Sequence, residues 1–99
     1  MEIKNKKIKY TEVIEYGRVI KKTGTAIFMG ADDRTKTLVL INGTDVIEIP
    51  VSKIFICRNK TDKKEIVILC KTIQESINLF IEEYQVDPDY VSEILPNSI

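Results

Sequence analysis

The chain has no histidine and no tryptophan, and only two cysteines, three prolines and four glycines among 99 residues. Without an imidazole, nothing activates Ser52, Ser76, Ser92 or Ser98 as a nucleophile by the usual route. A zinc site takes three or four ligands, mostly His and Cys, so two cysteines cannot supply one. Cys57 and Cys70 sit in the apolar runs 54–57 and 66–70, where a reduced thiol packs as a small hydrophobe. If those runs pair about Thr61 and Asp62, Cys57 faces Ile66 and Cys70 faces Lys53, which keeps the sulfurs apart and argues against a disulfide. The few glycines form neither a G-x-x-x-x-G-K-[ST] nor a G-x-G-x-x-G phosphate cradle. No metal, no cofactor and no enzymatic activity are therefore expected. Long apolar runs are missing too: none approaches the roughly 18 to 20 residues of a membrane span, and no apolar stretch follows the lysines through Lys7 to make a signal peptide. The expectation is a cytoplasmic protein with no membrane partner.

What is present suits one soluble domain over residues 1–99, with 43% hydrophobic and 30% charged residues. Fifteen basic and fifteen acidic side chains cancel, which removes the simplest electrostatic case for nucleic acid. The balance conceals a gradient. Residues 72–99 carry Glu75, Glu82, Glu83, Asp87, Asp89 and Glu93 with no Lys or Arg, so the remainder is a basic body with an acidic tail segment. Twelve Lys against three Arg, with seventeen Ile, fit an AT-rich coding sequence, as in a low-GC bacterium or its mobile elements.

Between residues 18 and 70 the pattern is strand after strand: runs rich in Ile, Val and Phe separated by polar or glycine-bearing turns. Asn42-Gly43 between two apolar runs predicts a hairpin with a type I′ turn. Ile49-Pro50-Val51-Ser52-Lys53-Ile54 reads as a strand, one tight turn and a short strand. Earlier in the chain, Thr11 as a cap and Gly17 as the C′ residue predict a short helix over about 11–17, with Arg18 to Lys22 a strand leading into a Thr23-Gly24 turn; one longer helix ending at Gly24 is the alternative. Thr72-Ile73-Gln74-Glu75 is a capping box opening a helix over about 73–85, whose stripe is Ile73, Ile77, Phe80, Ile81 and Tyr84. Asp87-Pro88 predicts a further helix over about 88–95.

The fold class is thus α+β: a strongly bent antiparallel sheet, or a small barrel, with a C-terminal helix packed on it. The order of elements resembles that of SH3-like and Sm-like small barrels, without a motif that carries family residues across. Several runs are apolar at four successive positions, so both sheet faces need cover. Either the sheet closes on itself or the chain is a homo-oligomer, and self-association is the expectation.

Two residue sets are candidate contact surfaces. Asp32, Asp33 and Arg34 lie in a loop between strong strands and, with Glu82, Glu83, Asp87 and Asp89, offer phosphate-like charge to a basic macromolecule. The carboxylates of Asp32 and Asp33 also suit a divalent cation or acid and base roles, though turns select Asp for backbone reasons alone. Arg58, Lys60, Lys63 and Lys64 form the alternative anion contact, as does the run Lys4, Lys6, Lys7 and Lys9; solubility explains both more readily, because neutral net charge is atypical of a nucleic-acid domain. These point to a non-enzymatic binding protein, an adaptor or inhibitor that occludes a protein partner. The alternatives are a nucleic-acid-binding small barrel and an oligomeric binder of a small anionic ligand.

Overall fold

A computed structural model of the chain describes residues 5–50 and 53–94. Strands β1 (Lys7–Glu15), β2 (Arg18–Asp32), β3 (Thr37–Asn42) and β4 (Asp45–Pro50) form a meander, and β5 (Lys53–Asn59) and β6 (Lys64–Cys70) form a hairpin. Helix α1 (Ile73–Tyr84) and a last strand, β7 (Tyr90–Ile94), follow. All seven strands join one mixed sheet in the order β4-β3-β2-β1-β6-β5-β7. The α+β class holds, but the sheet is not purely antiparallel, because Ile8, Lys9 and Tyr10 of β1 pair in parallel with Val67, Ile68 and Leu69 of β6. The sheet ends at β4 and β7, and among the described residues no ladder joins them.

Both faces of β5 and β6 are buried. Ile54, Ile56, Val67 and Leu69 point into a core to which every strand contributes, including Phe28 of β2, Leu40 of β3, Ile49 of β4 and Ile94 of β7. On the opposite face, Phe55, Cys57, Ile66, Ile68 and Cys70 pack under Leu79 and Phe80 of α1. A flat sheet cannot surround one core with seven strands. The bend comes largely from β2, where Lys22 and Thr23 oppose Thr11 alone and Met29 is an extra residue between the pairs Phe28–Leu40 and Gly30–Val39. Each bulge adds a local kink and twist. Thr23-Gly24, expected as a turn, is therefore the interior of a bent 15-residue strand.

Residues 11–17, expected as a helix, are the end of β1 and a hairpin turn: Tyr16 (φ 53) and Gly17 (φ 74) both have positive φ, as a type I′ turn requires. A left-handed glycine serves a helix C′ position and this turn equally, and the β-branched Thr11, Val13 and Ile14 favour the strand. The Asn42-Gly43 hairpin forms, with Asn42 opposite Asp45, so its central residues are Gly43 and Thr44. Only Gly43 (φ 64) has positive φ there, the pattern of a type II′ turn rather than I′. Of the residues expected as a helix over 88–95, Tyr90–Ile94 form β7 instead, covering the edge of β5, and Leu95 lies outside the described residues. Pro88 precedes a strand here, and Tyr90, Val91 and Ile94 suit one.

The helix begins where the capping box places it. Thr72 Oγ1 accepts from the Glu75 amide at 3.1 Å, but the Glu75 carboxylate reaches the Lys71 amide rather than that of Thr72. Its buried face is Ser76, Leu79 and Phe80, while Ile73 is exposed. The helix is rotated from the predicted stripe because Ser76, fully buried with Oγ donating to the Ile73 carbonyl at 2.6 Å, marks its close approach to β5.

Candidate functional site

Beyond Tyr10, β1 has no partner on its β6 side, and β2 pairs with β3 only from Ile27 onward, among the described residues. The segments Glu12–Glu15 and Arg18–Lys21 are thus a two-stranded ribbon ending in the Tyr16-Gly17 turn. Lys71 Nζ ties its base to the body, 3.7 Å from Glu12 Oε2. Val13 faces the core beside Ile20, whereas Ile14 and Val19 form the other face. Tyr16 stands at the tip with its side chain wholly in solvent, and Val19 and Ile20 behind it are also exposed. A bulky residue at positive φ is uncommon and costs backbone energy, so an exposed tyrosine there is an expensive choice for a turn that asparagine would fill.

Between this ribbon and β4 lies a groove of about 350 Å³. Tyr10, Val13, Ile14, Val46 and Ile47 contribute apolar atoms to its lining, which is polar over the larger part. Glu15 and Lys22 also line it and pair with each other at 3.7 Å. Asp45 and Glu48 line it from β4 and have no ion-pair partner among the described residues. The groove can hold an apolar side chain and present negative charge to whatever brings that side chain in.

The residues singled out from sequence fall elsewhere, and most have structural partners. Asp32 Oδ1 accepts from the Arg34 amide at 2.9 Å, an Asx turn that holds the Asp32 carboxyl below its ordinary range. The Arg34 guanidinium projects into solvent, 3.8 Å from the same oxygen, and Asp33 is exposed. Glu83 pairs with the buried Lys9 at 3.0 Å. Asp89 Oδ2 accepts from the Lys60 amide at 2.9 Å and the Asp87 carbonyl accepts from Asn59 Nδ2 at 2.7 Å, so both close the β5–β6 turn. Of the acidic set, the carboxylates of Asp33, Glu82 and Asp87 have no partner among the described residues. In the basic set, Arg58 stacks 4.6 Å over the Tyr90 ring and Lys64 lies 5.6 Å from the Tyr84 ring centre. Arg58 Nε is 3.1 Å from Glu65 Oε2 without aligned hydrogen-bond geometry, an ion pair rather than a directed bond. Lys60 and Lys63 remain exposed, and Lys4 lies outside the described residues. Among the described residues no group of three His, Cys, Asp or Glu side chains could hold a metal ion, and no helix is long and apolar enough to cross a membrane.

Arg18, Asp45, Val46 and Glu48 were not singled out from sequence. The signal was there in Val13-Ile14-Glu15-Tyr16-Gly17-Arg18-Val19-Ile20, an x-Gly pair flanked by matching Val-Ile pairs and an opposed Glu15 and Arg18, which is a hairpin pattern. Compared with protein-family models, curated proteins and solved structures, the chain matches none of them.

Proposed function

We propose that the chain is a non-enzymatic binding protein, an adaptor or inhibitor that occludes a protein partner, with the β1–β2 ribbon and its groove as the contact surface. The observation that carries this is Tyr16: an aromatic side chain in a left-handed turn, entirely exposed, next in sequence to Glu15 of a groove that is part apolar and part charged. Aromatic and arginine side chains are the usual anchors of protein interfaces, and Arg18 follows two residues on. In this reading the sheet is a small barrel of the SH3-like or Sm-like kind, supported by the larger of the two hydrophobic clusters, which all seven strands line. Direct nucleic-acid contact through Arg58, Lys60, Lys63 and Lys64 is the weaker alternative, because Arg58 and Lys64 already engage Tyr90 and Tyr84.

Capture from a host lysate with three baits separates the two. If the ribbon is the contact, Tyr16→Ala loses the partner that the wild type retains, and a variant with Lys60, Lys63 and Lys64 all changed to Gln keeps it. Loss with the lysine variant and retention with Tyr16→Ala would assign function to the basic turn.

A further inference from the structure

We infer that the ribbon and groove fit each other across a two-fold axis, so that a second copy of this chain fills each groove with its own Tyr16. The inference rests on the reading of this surface as a protein-binding one and names its first occupant.

Three features of one patch carry it. The Tyr16 side chain touches nothing in its own chain, and the adjoining groove, at about 350 Å³, exceeds the roughly 150 Å³ that suffices for a benzene ring in an apolar cavity. Unpaired charges of opposite sign flank the two halves of the contact. Arg18 lies directly behind the tip, Asp45 and Glu48 lie on the β4 wall, and none of the three has an ion-pair partner among the described residues. Glu15 and Lys22, in the same groove, already satisfy one another, so the charge left over on the ribbon is positive and that on β4 negative. Glu15, next to Tyr16, lines the groove, so tip and groove adjoin, and a two-fold operation that sends each tip into the other copy's groove closes the assembly as a dimer rather than a filament. Exposed Val46, in the lining of the groove, is then covered in both copies.

The consequence is regulatory. A dimer built this way hides its own contact surface, so the dimer is the resting form and any other partner competes with the second copy.

Light scattering of the full chain from low to high micromolar concentration tests this directly. The expected particle is twice 11.4 kDa at high concentration and dissociates on dilution and in high salt. Arg18→Glu should raise the dissociation constant at least tenfold, and so should Asp45→Lys with Glu48→Lys; combining all three changes should restore the dimer, because charge order is reversed but complementary. Recovery in the triple variant also shows that neither parent variant merely misfolded. A particle of 11.4 kDa at every concentration overturns the inference and leaves the binding-surface reading to the Tyr16→Ala capture. A dimer indifferent to these charges uses another face and overturns it equally.

Discussion

The ammonium of Lys9 lies 3.0 Å from the Glu83 carboxylate, and its side chain is only 7% exposed against 27% for Glu83. This pair joins the strand at the centre of the sheet to the last turns of the helix. Truncating one partner of a buried pair leaves the other charge uncompensated, and the two ends differ in how well water can compensate it. Glu83→Gln strands the less exposed ammonium and is expected to cost about 2 to 3 kcal/mol, below the fully buried case because Glu83 is partly solvated. Lys9→Met leaves a carboxylate that water reaches and should cost less. Glu82→Gln, one position away and exposed, should change stability by no more than about 0.5 kcal/mol. Urea unfolding of the three variants checks the ranking.

Gly24 sits at the bend of β2, where an added Cβ would stand 2.6 Å from Tyr10 Oη and 2.9 Å from Cζ. Tyr10 is 4% exposed and lines the groove, so its ring has little room to retreat. Gly24→Ala is expected to cost roughly 1 to 3 kcal/mol by overpacking. Adding Tyr10→Phe removes the nearer atom and should recover part of the loss, a coupling that a double-mutant cycle measures.

Tyr16 predicts an opposed pair of effects. Its side chain contributes no packing within the chain, and its left-handed backbone disfavours a tyrosine. Tyr16→Asn keeps the turn with a residue that tolerates this conformation, so thermal stability measured on the dissociated protein should rise by up to about 1 kcal/mol. Partner binding should fall in the same variant. A residue kept for folding would show the reverse.

The thiols should be inert in the folded protein. Burial is the main reason that the Cys70 thiol is pushed up to about 12, with the Glu75 charge adding to it, and burial likewise raises Cys57. Only thiolate reacts with a disulfide reagent, so labelling near neutral pH should follow global opening, and both groups should react at once in denaturant. The two cysteines are free and separated along the β5–β6 ladder, where Cys57 pairs with Ile66 and Cys70 with Lys53.

How legible each part was follows from how far its cause lies along the chain. The β5–β6 register, the capped helix and the hairpin at Gly43 depend on neighbours within a few residues, and sequence anticipated them. Residues 11–17 and 88–94 depend on tertiary partners. Thr11 to Glu15 are a strand because β2 folds back on them, and Tyr90 to Ile94 because β5 would otherwise expose an edge. Local capping signals favoured helix in both places. The parallel β1–β6 pairing leaves no local mark, since the two strands are separated by the whole meander. Charge composition was legible but its use was not: Glu83 and Asp89 look like surface carboxylates in sequence, and only the fold sets them against Lys9 and the Lys60 amide. The groove was invisible for the same reason, since its walls meet only when the meander curls.

The central claim is that the ribbon tip is where this protein meets other chains. It is tested most directly by placing a photo-crosslinking amino acid at position 16 and, as an exposed control in another turn, at position 35 between β2 and β3. The account predicts crosslinks from position 16, to a second copy in the purified protein and to any competing partner in a lysate, and none above background from position 35. Crosslinks from position 35 with none from position 16 would contradict it.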